Sequence, residues 1–133
     1  MIIMLPITLM TASVLTLIGL VLAYRVGLGR AKHLVNLGDG GNADMVIRIR
    51  SHANFVEYVP LALVLMGLLE LAGANKIFLT AMGGLLILFR VCHPIGMPME
   101  KNPNVFRAGS AIGTFLLIFV AAIYGLFMTL RVL

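Results

Sequence analysis

Charge is what this sequence has least of. Asp, Glu, Lys and Arg make up 11% of its 133 residues, against roughly 25% in an ordinary soluble domain, and that scarcity excludes a large soluble domain. Cysteine is nearly absent too: the single Cys92 excludes an internal disulfide and says little about redox compartment. No set of side chains has the spacing of metal ligands. The glycine-bearing stretches "GLG" and "GDGG" lack the preceding strand and the helix geometry of a phosphate loop. Internal repeats and low-complexity tracts are missing. The run from Met1 to Tyr24 has no basic n-region and is longer than the apolar core of a signal peptide, so it reads as a retained span.

What is there is apolar. Hydrophobic side chains make up 61% of the chain and the mean hydropathy is +1.07, the composition of an integral membrane protein. One domain, residues 1–133, is the natural count. A bilayer core about 30 Å thick takes roughly 20 apolar residues per helix, which leaves room for four spans in an all-α bundle. The apolar runs place them at about Ile2 to Arg25, Ala43 or Asp44 to Leu71, Ile77 to Ile95, and Val105 to Leu130. The polar, glycine-rich "GLGRAKHLVNLGDGGNAD" reads as the first loop, with Asn42 or Asp44 capping the second helix. "AGANK" makes a tight turn, and "GMPMEKNPN", with two prolines, ends the third span.

The net charge of +5 would suggest nucleic acid in a soluble protein. Here the basic residues flank apolar runs, where they set membrane orientation, so no nucleic-acid partner is expected. Arg25, Arg30, Lys32, Arg48, Arg50, Arg90, Lys101 and Arg107 fall on one side of a four-span topology, and Lys76 and Arg131 on the other. The positive-inside bias then puts both termini outside and the first and third loops in the cytoplasm.

The few polar residues within the spans form strips. At roughly 100° per residue, Arg50, Asn54 and Glu57 lie within about 60° of one another, with Tyr58 beside them, while Arg48 and His52 project from the opposite face. Arg90, His93 and Met97 share a face of the third span, and Arg107, Ser110 and Thr114 a face of the fourth. An ionisable group in hydrocarbon costs about 2.5–3.5 kcal/mol on insertion scales, so such groups usually face protein or a wet cavity. Three strips at one depth imply a shared site. More arginine than carboxylate favours an anionic ligand, because guanidinium forks match carboxylates. Each residue also has an ordinary explanation. The arginines lie where side chains snorkel to headgroups, Asn54 can bond across helices, Glu57 can join a structural ion pair, and His93 before Pro94 can cap or kink its helix. Cys92 reads as a small core residue. Pro60 removes a helix donor beside Glu57, and Gly83, Gly84 and Gly113 suit close helix approach.

The order Arg50, His52, Asn54, Glu57, Tyr58, Pro60, Leu61 in "RSHANFVEYVPL" resembles the second-helix signature of the MAPEG proteins, the membrane-associated proteins in eicosanoid and glutathione metabolism. "RVCHPIGM" and "NVFRAGSAIG" resemble later segments of that family, and the sequence is closest to its bacterial branch. The resemblance implies a homotrimer of four-helix subunits with glutathione bound between neighbours near the cytoplasmic ends. Matched by position, it assigns Arg50, Asn54, Glu57 and Tyr58 to glutathione contacts, together with Arg90, His93 and, by a looser alignment, Arg30. Arg107 matches the arginine proposed to stabilise the glutathione thiolate, with Ser110 as a second donor. Met97 stands where several glutathione-using members have tyrosine. The expected protein is therefore a bacterial inner-membrane glutathione transferase or peroxidase-like enzyme acting on lipophilic electrophiles from the bilayer. The alternative is a non-catalytic relative that keeps the scaffold and binds an anionic lipid or another small ligand.

Overall fold

The computed structural model describes residues 4–97 and 104–130. Four helices are long and apolar enough to cross a membrane. They are α1 (Pro6–His33), α2 (Ala43–Leu71), α3 (Lys76–Gly96), and α4 (Ser110–Leu130), which continues a one-turn π-helix, Val105–Gly109. The protein is an all-helical membrane bundle, as its composition requires.

Helix starts follow local chemistry. Pro6 occupies the first turn of α1, where its missing N–H costs nothing. The Asn42 side chain accepts from the N–H groups of Asp44 (2.9 Å) and Met45 (3.2 Å), so Asn42 rather than Asp44 is the cap of α2. Asn75 does the same for α3, accepting from Ile77 and Phe78.

The first helix is longer than its apolar run. It continues eight residues beyond Arg25 and ends at His33, because the "GLGR" segment packs on α2 rather than forming loop. Gly29 is buried, and a Cβ there would lie 2.6 Å from Arg48 Cδ and 2.7 Å from Met45 Sδ. A larger residue there would push both side chains aside. Leu34 then turns left-handed at φ 54° and the Val35 N–H bonds Arg30 O at 3.1 Å, a left-handed helix stop built without glycine.

Each helix runs antiparallel to the next. At one end the Glu70 carboxylate, in the last turn of α2, accepts from the N–H groups of Ile7 (3.0 Å) and Thr8 (2.8 Å). At the same end the Tyr124 hydroxyl accepts from Asn75 N. Leu15, Leu22, Phe55, Val59, Ala62 and Leu86 fill one half of the core, and Met66, Leu69, Leu79, Met82 and Ala121 the other. Gly83 lets α3 close on Thr11 and Met66, and Gly113 lets α4 close on the Phe89 ring, whereas Gly84 faces open space. Only 11% of the most apolar stretch of the fourth span is buried, against 33% of the third. The single chain thus leaves most of its apolar surface, including Phe115 and Phe119, to be covered by lipid or another chain.

Candidate functional site

Arg90 is the centre of the polar end of the bundle. It is 1% exposed although it carries a full charge. Its Nη1 donates to Asn54 Oδ1 of α2 at 2.8 Å, and its Nη2 reaches the Thr114 hydroxyl and, at 3.4 Å, the Ser110 carbonyl at the start of α4. One guanidinium therefore ties three helices. All of these acceptors are neutral, and among the described residues no carboxylate pairs with it. Its Nε is buried without a partner. His93, one turn further along α3, is also buried.

The strip on α2 divides. Asn54 turns inward to Arg90, whereas Arg50 and Glu57, on either side of it, are exposed. Among the described residues Glu57 has no ion pair. Half-buried Tyr58 meets Phe115 edge-on, with ring centroids 4.9 Å apart. Arg48 leaves by the opposite face, as its helical phase requires, and bonds Asp44 and the Arg25 carbonyl of α1.

Arg107 lies on the π-turn and is exposed, with no hydrogen-bond acceptor for its guanidinium among the described residues. π-Turns recur at functional sites. Its backbone is held at both ends: the N–H donates to Asn104 Oδ1 at 3.1 Å, and the carbonyl accepts from Ser110 Oγ at 3.2 Å. Ser110 is buried and its hydroxyl is also directed to the Phe106 carbonyl, which points its proton into its own helix. Arg30 is the residue furthest from the others in function: its Nη1 donates to the carbonyls of Val35, Asn36 and Gly38 and shapes the first loop.

The structure thus brings Asn54, Arg90, His93 and Ser110 together inside the chain and leaves Arg50, Glu57 and Arg107 each exposed. Arg30 joins neither group within one subunit. Met97 is half-buried, while Lys101 and Arg131 lie outside the described residues.

Three polar contributors escape a search for ionisable strips. Asn104 is buried and bridges the α3 terminus to the Arg107 turn; its signal was the "NPN" before an apolar run, the place of a helix cap. Glu70 caps α1 from across the bundle. Asp44 joins His33 (2.9 Å) and Arg48 (2.9 Å). The Asp44–Arg48 pair has the i,i+4 spacing of a helix-surface ion pair, whereas the Glu70 contact with α1 has no local sequence signature. A groove of about 680 Å³ lies between the far ends of α2 and α4 and is lined by Leu65, Leu68, Ala122 and Gly125 among others, all of them apolar or uncharged.

Comparison with known proteins agrees with the architecture. Inner membrane protein YecN of Escherichia coli strain K12 is 39% identical over 67 residues, 50% of this chain and 51% of that protein. YecN of E. coli O6:H1 strain CFT073 matches to the same extent. The match spans about half the length of these curated relatives. No solved structure matches the chain. The MAPEG family matches over residues 8–127, from the first turn of α1 almost to the end of α4. A four-span helical bundle matched over that length belongs to the MAPEG family.

Proposed function

We propose that this chain is the subunit of an inner-membrane, homotrimeric glutathione transferase with peroxidase-like capacity, which ionises the glutathione thiol for attack on lipophilic electrophiles. The observation that carries the reading is the exposed guanidinium of Arg107, which has no acceptor among the described residues, as Arg50 and Glu57 are also exposed. A second copy laid against these residues completes a cleft. Arg50 then receives a carboxylate of the tripeptide, Glu57 its ammonium, and Tyr58 lines the wall, which leaves Arg107 to the sulfur. The inner-membrane placement is supported by the name of the E. coli relative. The lysine and arginine bias supports a cytoplasmic polar end, with both termini outside.

The chemistry is a thiolate reaction. A free thiol has a pKa near 8.5, and lowering it by about two units takes roughly 2.7 kcal/mol. A cation about 4 Å from the sulfur, at an effective dielectric near 20, supplies about 4 kcal/mol. Arg107 is the residue placed to do so, and the thiol proton leaves to solvent. The sulfur lone pair then forms a carbon–sulfur bond as the electrophile's leaving group departs. With a hydroperoxide the sulfur takes the terminal oxygen, an alcohol leaves, and a second glutathione converts the sulfenic acid to disulfide and water. Ser110 acts through the backbone of Arg107, since its hydroxyl is turned inward.

A second reading rests on Arg90. Its bonds to Asn54 and Thr114, together with Met97 in place of tyrosine, also suit a non-catalytic scaffold that holds an anionic lipid. That reading expects Arg107→Ala to alter lipid retention or assembly and no thiol chemistry. Calorimetric titration of the detergent-purified protein with glutathione separates the two. The transferase reading expects saturable binding, weakened about tenfold in Glu57→Ala, on the order of 1.4 kcal/mol. Absence of binding at millimolar glutathione defeats it.

A further inference from the structure

We propose that Asn104 is a positioning residue, which clamps the turn carrying Arg107 to the end of α3 and so fixes where that guanidinium stands. This rests on the role given to Arg107 above.

Asn104 is buried and both ends of its amide are used. Nδ2 donates to the Gly96 carbonyl at 2.8 Å, and Oδ1 accepts from the Arg107 N–H at 3.1 Å. A residue needed only as a cap would use the second bond alone, as a serine does. The first bond crosses to another helix, at Gly96 O in the last turn of α3. Gly96 is the second half of the clamp. A Cβ there would lie 2.5 Å from Arg107 N and 2.8 Å from Phe106 Cβ, backbone and near-backbone atoms that cannot turn aside. The π-turn therefore rests directly on the α3 main chain.

From the carbonyl side, Ser110 Oγ holds Arg107 O, and the Asn104 carbonyl accepts from Ala108 N at 2.8 Å. The Arg107 side chain has no anchor of its own among the described residues, so its placement depends on its backbone. A displacement of about 1 Å at a reacting group can cost on the order of a hundredfold in rate. Asn104 touches neither the thiol nor the electrophile.

Asn104→Ser separates a clamp from a cap, because the shorter hydroxyl can accept from Arg107 N but cannot reach Gly96 O. Wild type and variant are compared in detergent by amide exchange over residues 104–110 without ligand. With glutathione, the ultraviolet absorbance of the bound thiolate is measured, along with turnover of an activated aryl chloride. The expected result is faster exchange in the variant, unchanged glutathione affinity and KM, and about tenfold lower thiolate fraction and kcat. Gly96→Ala, which lifts the same turn while leaving Asn104 intact, is expected to reproduce that pattern. Wild-type exchange in Asn104→Ser, or wild-type thiolate fraction and kcat, overturns the inference. If wild type binds no glutathione, the functional reading fails by itself, and the exchange comparison still decides whether Asn104 clamps the turn.

Discussion

Arg90 and Arg107 carry the same charge at the same end of the bundle and have opposite surroundings. Arg90 is enclosed by Asn54, Ser110 and Thr114 from two other helices. Arg107 is exposed, and its guanidinium has no acceptor among the described residues. A buried guanidinium bonded to several neutral groups is committed: removing it leaves their polar atoms unsatisfied in a low-dielectric interior. An exposed, unpartnered one is available to a ligand. The family likeness assigned both arginines to one site, and the structure gives them different surroundings.

The sharpest way to break this contrast is to remove each arginine in turn. Arg90→Ala is expected to destabilise the subunit by about 3 kcal/mol, from the lost charged hydrogen bonds and the cavity left behind, read from its detergent-unfolding midpoint. Wild-type stability would move Arg90 from the framework to the ligand. Arg107→Ala is expected to change stability by no more than about 0.5 kcal/mol while lowering the thiolate-to-thiol ratio of bound glutathione about a hundredfold, roughly 2.7 kcal/mol. A variant that unfolds as readily as Arg90→Ala would erase the distinction.

The far end of the molecule supplies a control. Glu70 caps α1 through Ile7 and Thr8, so Glu70→Ala should cost about 1–2 kcal/mol of stability and leave glutathione affinity unchanged. A loss of affinity there would mean that the two ends are coupled. The smallest effect belongs to Arg50→Ala. As an exposed charge at the edge of the proposed cleft, it should weaken glutathione binding about fivefold, on the order of 1 kcal/mol, without moving the unfolding midpoint.

Most of the fold was legible because lipid leaves few choices. Apolar runs of spanning length must be helices, and Asn42, Asn75 and the "NPN" segment mark starts by local side-chain chemistry. The extension of α1 to His33 was not legible, since it depends on Gly29 meeting Met45 and Arg48 from another helix. The site was legible as a set of residues but not as a partition. Helical phase put Arg50, Asn54 and Glu57 on one strip and sent Arg48 to the other face. It contains no information on which of these neighbours faces α3. Asn104 and Glu70 escaped for a related reason: their partners lie on other helices, at separations that no periodicity reports.

The most direct test of the division between framework and ligand arginines is the ionisation of bound glutathione in Arg107→Ala, measured by thiolate absorbance at saturating ligand and the same pH as wild type. The expected result is a folded protein that still binds glutathione but holds it as the thiol. An unchanged thiolate fraction at equal occupancy would contradict the assignment and require another cation, Arg90 first, to ionise the sulfur.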